Sequence, residues 1–131
     1  MGAPLTGYLF DTNILIYWWA DEIPPDQVPR IEHLLKTSFN ISIITRIEFL
    51  GFPGFSGDLK QKARDFLSYA VVLPLTPEVA ERTIVLREMH SMKVPDAIIA
   101  ATALTYDLIL ITRNASDFKD IPGLTIENPF G

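Results

Sequence analysis

A chain of 131 residues that is 48% apolar has material for one domain around one core, which excludes disordered and fibrous classes. It has no cysteine, so disulfides, thiolate nucleophiles and cysteine-type zinc sites are excluded as well. The formal charge of −5, from 16 acids against 11 bases, speaks against bulk electrostatic binding of nucleic acid, but leaves room for an enzyme that holds phosphates through a bound metal.

Met1–Gly7 carries no motif. Tyr8–Phe10 reads as a first strand and Ile14–Ala20 as the helix it feeds. Asp21–Pro29, with three prolines, is loop, and Asp26 is placed to cap a helix running through Lys36. Phe39–Ile44 is rich in β-formers and gives a second strand, after which Thr45–Leu50 turns helical. Three glycines and a proline within Gly51–Asp58 interrupt the chain before an amphipathic helix over Leu59–Ala70. Val71–Leu75 is a third strand, stopped by Pro74. Glu78–Met92 follows as a helix with Val79, Thr83, Leu86 and His90 on one side. Pro95–Leu104 is apolar almost all round, as a helix packed on a sheet would be. Leu108–Thr112 reads as a strand buried on both faces, and Leu124–Ile126 as a short last strand.

Strands alternating with helices, and a strand as apolar as Leu108–Ile111, predict an α/β fold: a single domain over 1–131, built as a three-layer α/β/α sandwich on a parallel sheet of about five strands. No stretch approaches the ~18 apolar residues of a membrane span, and the first residues lack a secretory pattern, so the expected location is the cytoplasm.

Ligands of open parallel sheets bind beyond the carboxyl ends of the strands. Asp11 ends the first strand, Glu48 lies about a helical turn past the second, and Asp117 a few residues past Leu108–Thr112. Asp96 joins them if its helix begins at that edge, with Pro95 in the first helical position. Each acid alone has a plain structural reading. Asp11 suits a helix N-cap, Glu48 a solvated helix face, Asp96 a helix N-terminus and Asp117 a polar turn. Together they pose an electrostatic problem. Two carboxylates ~4 Å apart repel by ~4 kcal/mol at an effective dielectric of about 20. Arg46 and Arg113 are candidate basic neighbours for them in sequence. An all-oxygen set of this kind suits Mg²⁺ or Mn²⁺. His33 and His90 fall in helix patterns away from the acids and are not candidate general bases.

The segments "FDTNILI", "SIITRIEFL", "PDAIIAATAL" and "LITRNASDF" occur in the order and approximate spacing of PIN domains, and over Tyr8–Glu127 the chain resembles VapC-type toxins of toxin–antitoxin pairs. The resemblance implies a metal-dependent endoribonuclease in which Asp11, Glu48, Asp96 and Asp117 form the acidic quartet and bind the metal. Thr12, Asn13 and Thr112 would support the ligands or touch substrate. Asn114 stands where some relatives carry another acid, and Arg46 and Arg113 are candidates to receive phosphates. The resemblance further implies an RNA substrate, a cognate antitoxin and a homodimer. For the homodimer, Trp18, Trp19, Phe52 and Phe55 are candidate interface residues, being more aromatic surface than a core of this size is expected to bury. Two other readings stand beside it. One is an inactive PIN fold that only binds. The other is a receiver-like phosphoacceptor domain, which would need an Asp ending the middle strand where this chain has "VVLPL".

Overall fold

The computed structural model describes residues 7–131; the motif-free start of the chain, 1–6, lies outside them. Five parallel strands, β1 (Tyr8–Phe10), β2 (Asn40–Ser42), β3 (Val71–Leu73), β4 (Ile109–Ile111) and β5 (Ile126–Glu127), form one sheet in the order β3-β2-β1-β4-β5. The helices are α1 (Thr12–Trp19), α2 (Val28–Thr37), α3 (Ile43–Leu50), α4 (Asp58–Leu67), α5 (Pro77–Met89) and α6 (Val94–Thr105). This is the α/β/α sandwich that the alternation predicts.

The period of two along the central strands separates the core into two layers. Phe10 and Ile111 face one side and pack with Ile14, Leu15, Ile31, Ile41, Phe49 and Ala63 of the α1–α4 region. Leu9 and Leu110 face the other and pack with Val79, Leu86, Ile99 and Ala100 of α5 and α6. All four of these strand residues have no exposed surface, which is why β1 and β4 read as unbroken apolar runs. Among the described residues no helix is long and apolar enough to cross a membrane.

Several boundaries differ from the sequence reading, each for a local reason. α1 starts two residues early, because Asp11 itself is the N-cap and its side chain accepts from the Thr12 N–H. β2 stops at Ser42, whose hydroxyl accepts from the Ile44 N–H and starts α3 inside the β-branched run. Asp26 does not cap α2; it lies in a 3-10 turn, Pro25–Gln27, and α2 begins after Gln27 without a side-chain cap. α5 ends at Met89, with His90 in extended conformation and half-buried. Pro95 is the second residue of α6, since Val94 is already helical. The last strand lies at Ile126–Glu127, where Ile126 pairs with Leu110 and Glu127 with Ile111.

The aromatic residues offered as surface are mostly not surface. Trp19 packs among Phe49, Phe55 and Phe66 at centroid distances of 5.6–6.0 Å, and Trp18 also lies against the core. Phe52 alone of the four remains exposed, at 39%. A small three-layer domain has room for these rings because α4 closes over them through Ala63, Phe66 and Leu67.

Candidate active site

The chain leaves β1 on one side of the sheet's centre and returns in β4 beside it, so the boundary between β1 and β4 is where the strand order reverses. Crevices form at the carboxyl end of such a boundary. The residues that follow the two strands, Asp11 and Thr112, are joined across it: the Thr112 hydroxyl donates to Asp11 Oδ2 at 2.7 Å. Asp11 is only 5% exposed. Its Oδ1 accepts from the Thr12 N–H at 2.8 Å, and Oδ2 also accepts from Asn13 Nδ2 at 3.2 Å. Capping and membership of the site are therefore not alternatives for Asp11, since one carboxylate does both.

Asn13 ties the two strand ends together a second time. Its Oδ1 accepts from the Arg113 N–H at 3.2 Å, while the Asn114 N–H donates to Thr112 Oγ1 at 3.0 Å. These bonds set the loop after β4 against the start of α1. From the β2 side, Thr12 donates to Glu48 Oε1 at 2.7 Å and lies 3.1 Å from Thr45 Oγ1. Thr45 and Glu48 are three apart on α3 and so share a face of the helix.

A cavity of about 300 Å³ is lined by Asp11, Asn13, Glu48, Asp96 and Asn114, with Ile16 and Phe52 as its apolar rim. A second, of about 350 Å³, is lined by Asp96 and Asp117 with Ser91, Lys93 and Ser116. Asp96 belongs to both. All four predicted acids thus reach one edge of the sheet, with Asp117 on the far side of Asp96 from Asp11. Arg46 and Arg113 line neither cavity. Thr112 also lines neither, and its hydroxyl bonds Asp11.

The acids sense each other. Burial, the largest influence, lifts the Asp11 carboxyl from 3.8 to about 6; the Thr112 and Thr12 hydrogen bonds oppose the rise, and the charges of Asp96 and Glu48 add to it. Asp96 is also raised, first by burial, then by Asp117 and Glu48, with Lys93 opposing. Oxygen donors without histidine or cysteine match a hard divalent cation. Among the described residues, however, no three such side chains stand together as a group able to hold an ion. The acids share an edge and a field rather than a common point.

A family model for the PIN domain matches residues 8–124. The chain belongs to the PIN-domain family. No curated protein matches it. Among solved structures, this PIN domain is similar to a chain of a toxin–antitoxin complex from Klebsiella pneumoniae, with 36% identity, a TM-score of 0.76, and 94% of this chain and 98% of that one covered. It is similar to a chain of VapBC2 from Rickettsia felis, bound to a DNA fragment from its promoter, with 27% identity, a TM-score of 0.77 and coverage of 92% and 97%. DNA-bound VapBC from Salmonella typhimurium shares the fold at 24% identity and a TM-score of 0.79, over 95% and 99% of the two chains. The architecture of this PIN domain is that of the VapBC/FitAB-type toxins.

Sequence reasoning passed over Thr45, Lys93, Ser91 and Ser116. Helical spacing could have found Thr45, which lies three residues before Glu48 on α3, but not Lys93, which is the extended N-cap of α6. Ser91 comes from the loop before α6 and Ser116 from a single 3-10 turn, Ala115–Asp117, both too short for a periodicity to mark them.

Proposed function

We propose that this PIN domain is a Mg²⁺- or Mn²⁺-dependent endoribonuclease, the toxin of a VapBC-type pair, and that Asp11, Glu48, Asp96 and Asp117 are its catalytic, metal-holding residues. The observation that carries the reading is the buried Asp11 carboxylate, raised by burial and by two acidic neighbours and, among the described residues, without a basic partner. Thr12 orients Glu48, Asn13 and Thr112 orient Asp11, and the Asn114 N–H holds the Thr112 hydroxyl. Glu48 is exposed and held by one neutral hydroxyl, so turning it toward Asp11 and Asp96 breaks a single hydrogen bond.

A divalent ion held there would supply an acidified water and positive charge for the phosphoryl oxygens. The chain's own contribution is to keep Asp11 fixed against two strand ends and to offer the open trough over Asp96 to a phosphodiester. Hydrolysis adds water across one P–O bond and divides the strand. Unpaired RNA bends into such a shallow edge at less cost than a duplex. The antitoxin partner is supported by similar chains solved within toxin–antitoxin complexes. A basic side chain inserted among the acids would gain charge-assisted hydrogen bonds there. Location in the cytoplasm and pairing into a homodimer belong to the same reading.

The test is cleavage of single-stranded RNA by purified protein with Mg²⁺, with Mn²⁺, and with chelator. Cleavage that needs the ion and is lost in Asp96→Asn, with the fold retained, is the expected result. A folded wild type that binds RNA without cutting it under all conditions would leave only the binding-module reading.

A further inference from the structure

Arg113 is an exposed side chain that the fold nevertheless holds in place. Its guanidinium carbon lies 4.7 Å from the centroid of the Tyr17 ring and 4.5 Å from that of Phe130. The two rings are in contact, with centroids 5.1 Å apart at 58°, so the guanidinium rests across the pair. The segment carrying Phe130 is tied to the same residue, since Asn128 Nδ2 donates to the Arg113 carbonyl at 3.3 Å and the Phe130 N–H donates to Asn128 Oδ1 at 2.9 Å.

The guanidinium is fixed without being consumed. Among the described residues its side chain donates no hydrogen bond and forms no ion pair; Arg113 bonds only through its backbone. The carboxylate at the end of β5, Glu127, is taken by Arg30 at 2.7 Å. Stacked arginine with its planar fork open is a ready receptor for phosphate oxygens.

Its place relative to the acids is set by two elements. The Arg113 N–H bonds Asn13, and the next residue, Asn114, lines the Asp11 cavity together with Asn13. Tyr17 lies four residues beyond Asn13 on α1, about one turn or ~6 Å along the same helix face. A strand whose phosphodiester sits over the acids would bring its neighbouring phosphate to Arg113.

We propose that Arg113 anchors the RNA phosphate next to the scissile one, and that Tyr17 and Phe130 are positioning residues that act through it. The proposal rests on the ribonuclease reading above. It explains how an edge crowded with acids and lacking a lining arginine could still hold a polyanion.

The test is fluorescence anisotropy of a short single-stranded RNA in chelator, so that binding is read without cleavage, over a range of salt. Arg113→Gln should weaken binding about tenfold and lower the salt slope by roughly 0.7, the loss of one phosphate contact on a single strand. Phe130→Ala keeps the charge but frees the side chain. It should weaken binding by about threefold with the wild-type salt slope. The double variant should bind no more weakly than Arg113→Gln alone. Circular dichroism checks the fold, and Phe130→Leu replaces the alanine variant if that one fails to fold.

Unchanged affinity and slope in Arg113→Gln would overturn the anchor. A Phe130 effect that persists in the Arg113→Gln background would overturn its positioning role, as would loss confined to a protein partner. The ribonuclease reading fails separately: this binding pattern without ion-dependent cleavage removes the nuclease and leaves the anchor. Ion-dependent cleavage with Arg113→Gln indistinguishable from wild type does the reverse.

Discussion

Replacing Asp11 with asparagine should stabilise the ion-free protein at neutral pH. In the fold the carboxyl is raised from 3.8 to about 6, chiefly by burial. A folded-state value above the unfolded one means that the native state holds the proton more tightly, so this group's stabilising contribution is complete below 3.8 and is withdrawn as pH rises through 6. Above pH 6 the ionised group costs the fold about 3 kcal/mol relative to its protonated form, at 1.36 kcal/mol per unit. Asparagine escapes that cost while its oxygen keeps the Thr12 N–H bond. What it loses is the acceptor that Oδ2 offers to Thr112 and Asn13, worth about 1 kcal/mol for each bond. The expected net gain is therefore about 1 kcal/mol at pH 7.5, reversing to a loss at pH 4. Urea unfolding in chelator, followed by the fluorescence of the core-packed Trp18 and Trp19, reads the shift in midpoint at constant slope. If Asp11→Asn were destabilising by the same amount at pH 4 and pH 7.5, the carboxylate would be a satisfied structural cap and the cost assigned to its ionisation would be wrong. Adding Mn²⁺ should then stabilise the wild type and leave the variant unmoved.

Thr112→Val removes the donor to Asp11 and the acceptor of the Asn114 N–H, so urea titration should register a loss of about 1–2 kcal/mol and the acid limb of cleavage should move to higher pH. On an RNA hairpin, cuts should fall in the loop, and preferential cutting of the stem would refute the shallow-edge argument. Coexpression with the product of the adjacent small gene should give a complex that suppresses cleavage, and a harmless wild type with no such binder would remove the toxin reading. Light scattering at micromolar concentration should return the mass of a dimer. With Trp19 and Phe55 packed inward, the exposed apolar residues open to that contact include Ile84, Val85 and Met89 of α5.

What the sequence made legible depended on whether a signal was periodic, directional or tertiary. The three layers and the parallel sheet followed from apolar runs, since a strand covered on both faces, such as Ile109–Ile111, cannot hide its composition, whereas the strand order β3-β2-β1-β4-β5 leaves no mark in the runs themselves. For Asp11, Glu48 and Asp117 the edge followed from strand direction, because residues that leave parallel neighbours leave at the same end, while Asp96 depended on where α6 begins. Boundaries were less legible where one residue serves two elements. Asp11 and Ser42 each end a strand and cap a helix, and a pattern scan credits the flanking β-branched residues to the strand. Burial of aromatics was not legible at all. Whether Trp19 faces solvent is decided by α4, some forty residues away in sequence, closing over it. Nor could spacing reveal that Arg113 rests on Phe130, since the residues between them supply β5 and a turn and have no period that links the two.

The same geometry sets stability against occupancy at this edge. Thr112, Thr12 and Asn13 hold the Asp11 carboxylate in one orientation, and their hydrogen bonds favour its charged form. Burial and the charges of Asp96 and Glu48 oppose that form, and burial is the larger influence. At neutral pH the fold therefore maintains an ionised group at a net cost, in a place organised to receive positive charge. Any cation that binds the folded edge and not the unfolded chain returns stability by mass action, about 2.7 kcal/mol at a hundredfold excess over its dissociation constant. A divalent ion and an arginine from a partner protein would compete for the same acids and contribute through the same linkage. Inhibition by such a partner then requires no conformational switch in this chain. It requires only that the arginine, helped by contacts on the apolar rim of Ile16 and Phe52, hold the acids more tightly than the ion does.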